Sequence, residues 1–91
     1  MAPLPMAPMD QITRTGPQLG AALRRRRKQA GLSQEALADK VKLRQATISR
    51  LESGDAGTKL GTLLDAVAAL GLEIVVRPRS KGSAADIEDI F

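Results

Sequence analysis

The chain has no cysteine, histidine, tryptophan or tyrosine, and a single phenylalanine, Phe91. Without cysteine there are no disulfides, and without cysteine or histidine there is no zinc finger. A Ser–His or Cys–His nucleophile pair is equally impossible. Without aromatic bulk, any core must be built from Leu, Val, Ile and Ala. No apolar run reaches the roughly 18 residues of a membrane span. The first residues hold Pro and Met but no basic stretch leading into an apolar one, so they make a poor signal peptide. The expectation is a cytoplasmic, bacterial-type protein with no membrane partner, cofactor or metal. Ninety-one residues allow one small domain, and a core that small often needs a second subunit.

What is present is charge, unevenly spread. The net charge is +4, but ten basic residues face three acidic ones between Thr13 and Glu52. Between Ser80 and Phe91, one lysine faces Asp86, Glu88 and Asp89. A basic centre calls for a polyanion, and an acidic end for something else.

The basic centre contains the most informative stretch, Gly31 to Gly54, GLSQEALADKVKLRQATISRLESG. Leu37, Ala38 and Val41 form one helical stripe, and Ile48 and Leu51 form another after a break at Lys42-Leu43-Arg44. Ser33 stands where an N-cap belongs, Glu35 lies in the first turn, and Gly54 is a natural stop. Burying Ile48 and Leu51 leaves Gln45, Ala46, Ser49 and Arg50 pointing elsewhere on the second helix. Glutamine and arginine at a helix start can bond base edges bidentately. The layout is that of a helix-turn-helix that reads DNA. Gln45 is expected toward adenine, and Arg50 toward guanine or phosphate. Ala46 and Ser49 are base-edge candidates beside them; Gln34 and Thr47, with main-chain amides at the helix starts, are expected to fix the backbone register, Arg44 to meet phosphate, and Ser33 to belong to the DNA-binding set.

The runs Leu32-Ser33-Gln34-Glu35-Ala36-Leu37-Ala38, Gln45-Ala46-Thr47-Ile48-Ser49 and Leu51-Glu52-Ser53-Gly54 resemble the helix-turn-helix family of phage repressors and toxin–antitoxin regulators. The resemblance covers about residues 16–78 and is greatest to the HipB antitoxin subgroup. It implies an all-α fold of four to five helices. It also implies an ion pair between Arg27 in the first helix and Glu52. Three positions depart from the family pattern. Arg26 stands where an apolar residue is usual, so it must snorkel to water or meet a carboxylate. Lys42 replaces the glycine of a left-handed turn, at roughly 1 kcal/mol. Arg44 replaces a Ser or Thr cap.

The flanks complete the layout. Residues 1–12, with Pro3, Pro5 and Pro8, are expected to be a disordered tail, and 13–79 the domain. Thr15 or Gly16 can cap a first helix with Pro17 in its first turn and an apolar stripe of Leu19, Ala22, Leu23 and Ala30. The run Arg24 to Lys28 is five consecutive positive charges, either a solvated face or a flank for phosphates. After a loop at Asp55–Lys59, the residues Leu60, Leu63, Leu64, Val67 and Leu70 predict a core helix ending at Gly71. Leu72 to Pro78 then reads as a strand, with Ile74, Val75 and Val76 β-branched in a row. With no second strand in the chain, the simplest partner is the same strand of another copy across a twofold axis. In this resemblance phage repressors tend to have a fifth helix here, and HipB-like antitoxins a strand that builds the dimer. Residues 80–91 read as a small, polar, flexible linker followed by an acidic tail carrying Ile87, Ile90 and Phe91. The tail is either inert or a segment that docks on a partner. The resemblance implies that partner to be a HipA-like kinase toxin.

The function expected is therefore a homodimeric repressor that binds a palindromic operator and serves as the antitoxin of a HipA-like kinase, autoregulating its operon. The alternatives are a stand-alone phage- or plasmid-type repressor with no toxin, and an interaction module that has lost DNA. An enzyme is not expected, because Glu35, Asp39 and Glu52 all have structural explanations.

Overall fold

The computed structural model describes residues 10–79. The expected tails fall largely outside this range, and Ile87, Ile90 and Phe91 lie wholly outside it. Four helices follow in order: α1 Gly16–Gln29, α2 Gln34–Val41, α3 Gln45–Ser53 and α4 Leu60–Ala69.

Local chemistry accounts for the helix boundaries. The Thr15 hydroxyl accepts from the Gln18 amide at 3.2 Å, and Gln18 Oε1 accepts from the Arg14 amide at 2.7 Å. The two bonds make a capping box displaced by one residue. Pro17 sits in the first turn, where its missing N–H has no helical role. Ser33 caps α2 by accepting from Ala36 N at 3.0 Å. The turn after α2 puts Lys42 at φ 58°, ψ 44°, in the left-handed region. Arg44 occupies the N-cap of α3 without a side-chain capping bond.

The core cluster is Leu23, Leu37, Ala38, Ile48, Leu51, Ala66, Val67 and Leu70, entirely aliphatic. Leu19, Leu32, Val41, Leu43, Leu63, Ala69 and Leu72 pack around it. Helix α3 packs on both α1 and α2, and α4 packs on α2. The α1–α3 crossing is close enough to require glycine. A Cβ on Gly20 would stand 2.4 Å from the Glu52 carbonyl oxygen. Gly54, at φ 82°, would likewise drive a Cβ to 2.4 Å from Pro17 N.

Three expectations change. Ala30 is exposed, because α1 ends one residue earlier and the chain has already turned away. Helix α4 is not wholly core: Leu63, Ala66, Val67 and Leu70 face inward, whereas Leu60 is 67% and Leu64 46% exposed. The apolar arc of α4 is wider than the contact it makes with α2. Finally, among the described residues there is no strand. Residues 72–79 carry no regular secondary structure, and Ile74, Val75 and Val76 are 47%, 66% and 94% exposed. A strand is defined by its ladder, and the described residues of one chain supply no second edge.

Candidate nucleic-acid interface

The expected DNA-binding residues sit on the α2–α3 unit, which a buried ion pair ties to α1. Arg27 donates from Nε to Glu52 Oε2 at 2.6 Å and from Nη2 to Oε1 at 3.1 Å. Its Nη1 donates to the Leu32 carbonyl at 2.7 Å. Both side chains are almost fully buried, at 7% and 3% exposure. A planar guanidinium matches a carboxylate in this two-point geometry, and the carbonyl takes a further donor. Arg27 therefore holds α1, the α1–α2 turn and α3 together.

The network continues outward. Gln34 Nε2 donates to Glu52 Oε1 at 3.1 Å, and Gln45 Nε2 donates to Gln34 Oε1 at 3.2 Å. Gln34 is half-buried and Gln45 exposed. The structure thus brings Gln34 and Gln45 together across the turn, with Gln45 resting on a chain that ends in the buried ion pair. No sequence signal pointed to this link. Gln34 and Glu52 lie 18 positions apart, and only the packing of α2 on α3 makes them neighbours.

The remaining candidates divide in two. Ala46, Ser49 and Gln45 are exposed and share one face of α3, given 100° per residue. Thr47, by contrast, is half-buried, and with Arg50 it lines a groove shared with Leu43, Asp55, Gly57, Thr58, Lys59 and Thr62. Arg50, roughly 40° beyond Ala46 at 100° per residue, borders both the Gln45 ridge and this groove, whereas Thr47 lies in the groove. Lys59, Thr58 and Thr62 join them, although the sequence reading left these three out. A lysine and two hydroxyls at the start of a helix are the signal that was available. Ser33 is exposed with its hydroxyl already engaged as a cap, and Arg44 is exposed at the turn.

Arg26, expected to snorkel or meet a carboxylate, does neither. Its Nε donates to the Leu70 carbonyl at 3.0 Å, at the end of α4.

Two short helices joined by a tight left-handed turn, with polar and basic side chains along the second, are the geometry of a DNA-binding helix-turn-helix. The chain belongs to the helix-turn-helix domain family, whose pattern matches residues 18–79. Among solved structures it is similar to a HipB–O4 20mer complex at 32% identity and TM-score 0.70, covering 75% of this chain and 96% of that one. A structure of a HipA–HipB–O2–O3 complex matches at 32% identity and TM-score 0.69, with the same coverage of both chains. No curated protein matches the chain significantly. Among the described residues, no helix is long and apolar enough to cross a membrane.

Proposed function

We propose that the chain is a homodimeric, sequence-specific repressor and the antitoxin of a HipA-like kinase, acting at the nucleoid by binding rather than by catalysis. The observation that carries this reading is the exposed Gln45–Ala46–Ser49 ridge of α3, set in a fold like that of HipB in complex with a 20mer. Gln45 is the residue assigned to base reading, and its amide can pair bidentately with adenine. Arg44 and the Arg50–Lys59 groove supply charge for phosphates, which position the protein without reading sequence. Ser33, Gln34 and Thr47 hold the register.

The dimer is assigned to the apolar surface that the chain leaves in water: Leu60 and Leu64 on α4, with Ile74, Val75 and Val76 beyond it. A β-branched row with exposed backbone can pair with its own copy, and twofold symmetry would set two recognition helices about one helical turn apart on a palindrome. The HipA-like partner rests on the likeness to HipB, one of whose structures contains HipA.

The test is a titration of wild-type protein and Gln45→Ala against duplex from upstream of the chain's own gene and against a scrambled duplex, each at two salt concentrations. Gln45→Ala should lose on the order of 1–3 kcal/mol on the first duplex and little on the second. Equal losses on both would remove Gln45 from base reading. Co-purification with a HipA-like kinase tests the antitoxin role, and its failure would leave a stand-alone repressor.

A further inference from the structure

The bond from Arg26 joins the first helix to the point where the chain leaves the domain. Leu70 is the C-cap of α4, and its carbonyl is one of the acceptors a helix end leaves over. Neighbouring carbonyls are taken within the turn itself: Gly71 N–H bonds to Ala68 O at 3.0 Å and Leu72 N–H to Val67 O at 2.9 Å. Leu70 O receives the Arg26 guanidinium instead, in a half-buried bond spanning 44 positions. Gly71 follows at φ 71°, and Arg26 Nη2 stands 3.6 Å from where a Gly71 Cβ would be. The guanidinium therefore lies over the turn itself. Beyond Leu72 every described residue is exposed, including the row Ile74–Val76.

We propose that Arg26 is a positioning residue for self-association. It sets the direction in which residues 72–79 leave the domain, so that their backbone is presented to a second copy before the two meet. This rests on the dimer reading above. An arm whose exit is already fixed loses less freedom on pairing than one free to swing, and that difference appears as affinity. A charge-assisted bond to a carbonyl, shielded from water on one side, is strong enough to hold such an exit. An aliphatic side chain at position 26 would leave the Leu70 carbonyl without its donor.

Sedimentation of wild type, Arg26→Met, Arg26→Lys and Thr15→Ala over a range of concentrations tests this, with circular dichroism to confirm folding and hydrogen exchange read at Gly71–Val76. Thr15→Ala removes the cap at the far end of the same helix and serves as the control for general destabilisation. Arg26→Met should weaken dimerisation on the order of tenfold and speed exchange at the turn. Arg26→Lys, whose ammonium can still donate, should lie between it and wild type. Thr15→Ala should lower the thermal midpoint without the shift in association. A dimer indifferent to Arg26→Met, or equally sensitive to Thr15→Ala, overturns the role of Arg26 alone. A wild type that stays monomeric throughout overturns the dimer reading and this role with it.

Discussion

The α2–α3 unit and the α4 region with residues 72–79 are built on opposite terms. In the first, polar side chains find partners within the chain: Arg27, Glu52, Gln34 and Gln45 form one line of hydrogen bonds from the core to the surface. Apart from Ala46, the exposed residues of the two helices are polar or charged. In the second, the exposed groups are Leu60, Leu64, Ile74, Val75 and Val76. A polar and basic surface fits an aqueous, charged partner such as DNA, whereas exposed large aliphatics fit another protein. The contrast separates a polar, basic surface from an apolar one within a very small domain.

The comparison breaks most easily at the ion pair. Arg27→Met leaves Glu52 buried without its cation, and such truncations cost about 3–5 kcal/mol. Against a domain total of about 5–15 kcal/mol, that is a large fraction. Thermal denaturation should show a collapsed or much lower midpoint, and adding Glu52→Leu should recover part of the loss. A midpoint close to wild type would mean the pair is not what holds α1 on α3.

On the other face, Leu60→Ser with Leu64→Ser separates a solvated surface from an interface. If the leucines stay in water, each change should matter by no more than about 0.5 kcal/mol. If a second copy covers them, each should weaken dimerisation by about 1–2 kcal/mol, with little effect on the monomer. Sedimentation equilibrium distinguishes the two, and the covered case is the expected one. The turn between the helices offers a smaller effect of opposite sign. Lys42 holds a left-handed conformation that glycine adopts without a Cβ penalty, so Lys42→Gly should raise stability by up to about 1 kcal/mol. A destabilised variant would mean that the lysine side chain contributes more than its backbone strain costs. The smallest effect is expected from deleting residues 80–91. Thermal stability and operator binding should stay within about 0.5 kcal/mol of the full chain. Binding of a HipA-like kinase, measured by calorimetry, should weaken if Ile87, Ile90 and Phe91 dock there, and unchanged affinity would mark the segment as inert.

Much of the α2–α3 unit could be read from local pattern. Ser33 as a cap, the break at Lys42, Gly54 as a stop and the stripe of Ile48 and Leu51 are each decided within one or two turns of chain. The same reasoning misplaced the face of α4. A period of 3.6 identifies an apolar arc, but five leucine and valine positions cover more arc than one neighbouring helix can bury. Which leucines stay out depended on how α4 settles on α2. The strand expected from 72–78 is not formed within the described residues of one chain for a related reason: β-branched residues state a preference, and only a partner edge can realise it.

By itself, the sequence determined the helices, their caps and turn, the aliphatic core and the basic character of the DNA-reading unit, because all of these follow from residue type and short-range spacing. The tertiary structure alone decided that Arg26 meets a carbonyl rather than water or a carboxylate. It also decided that Gln34 links Gln45 to Glu52, and that Arg50 and Thr47 line a groove together with Lys59. Each of these contacts joins residues on different elements, or depends on where a neighbouring element lies. Hydrogen bonds form only within about 3 Å, and nothing in linear spacing says which distant groups the packing will bring that close.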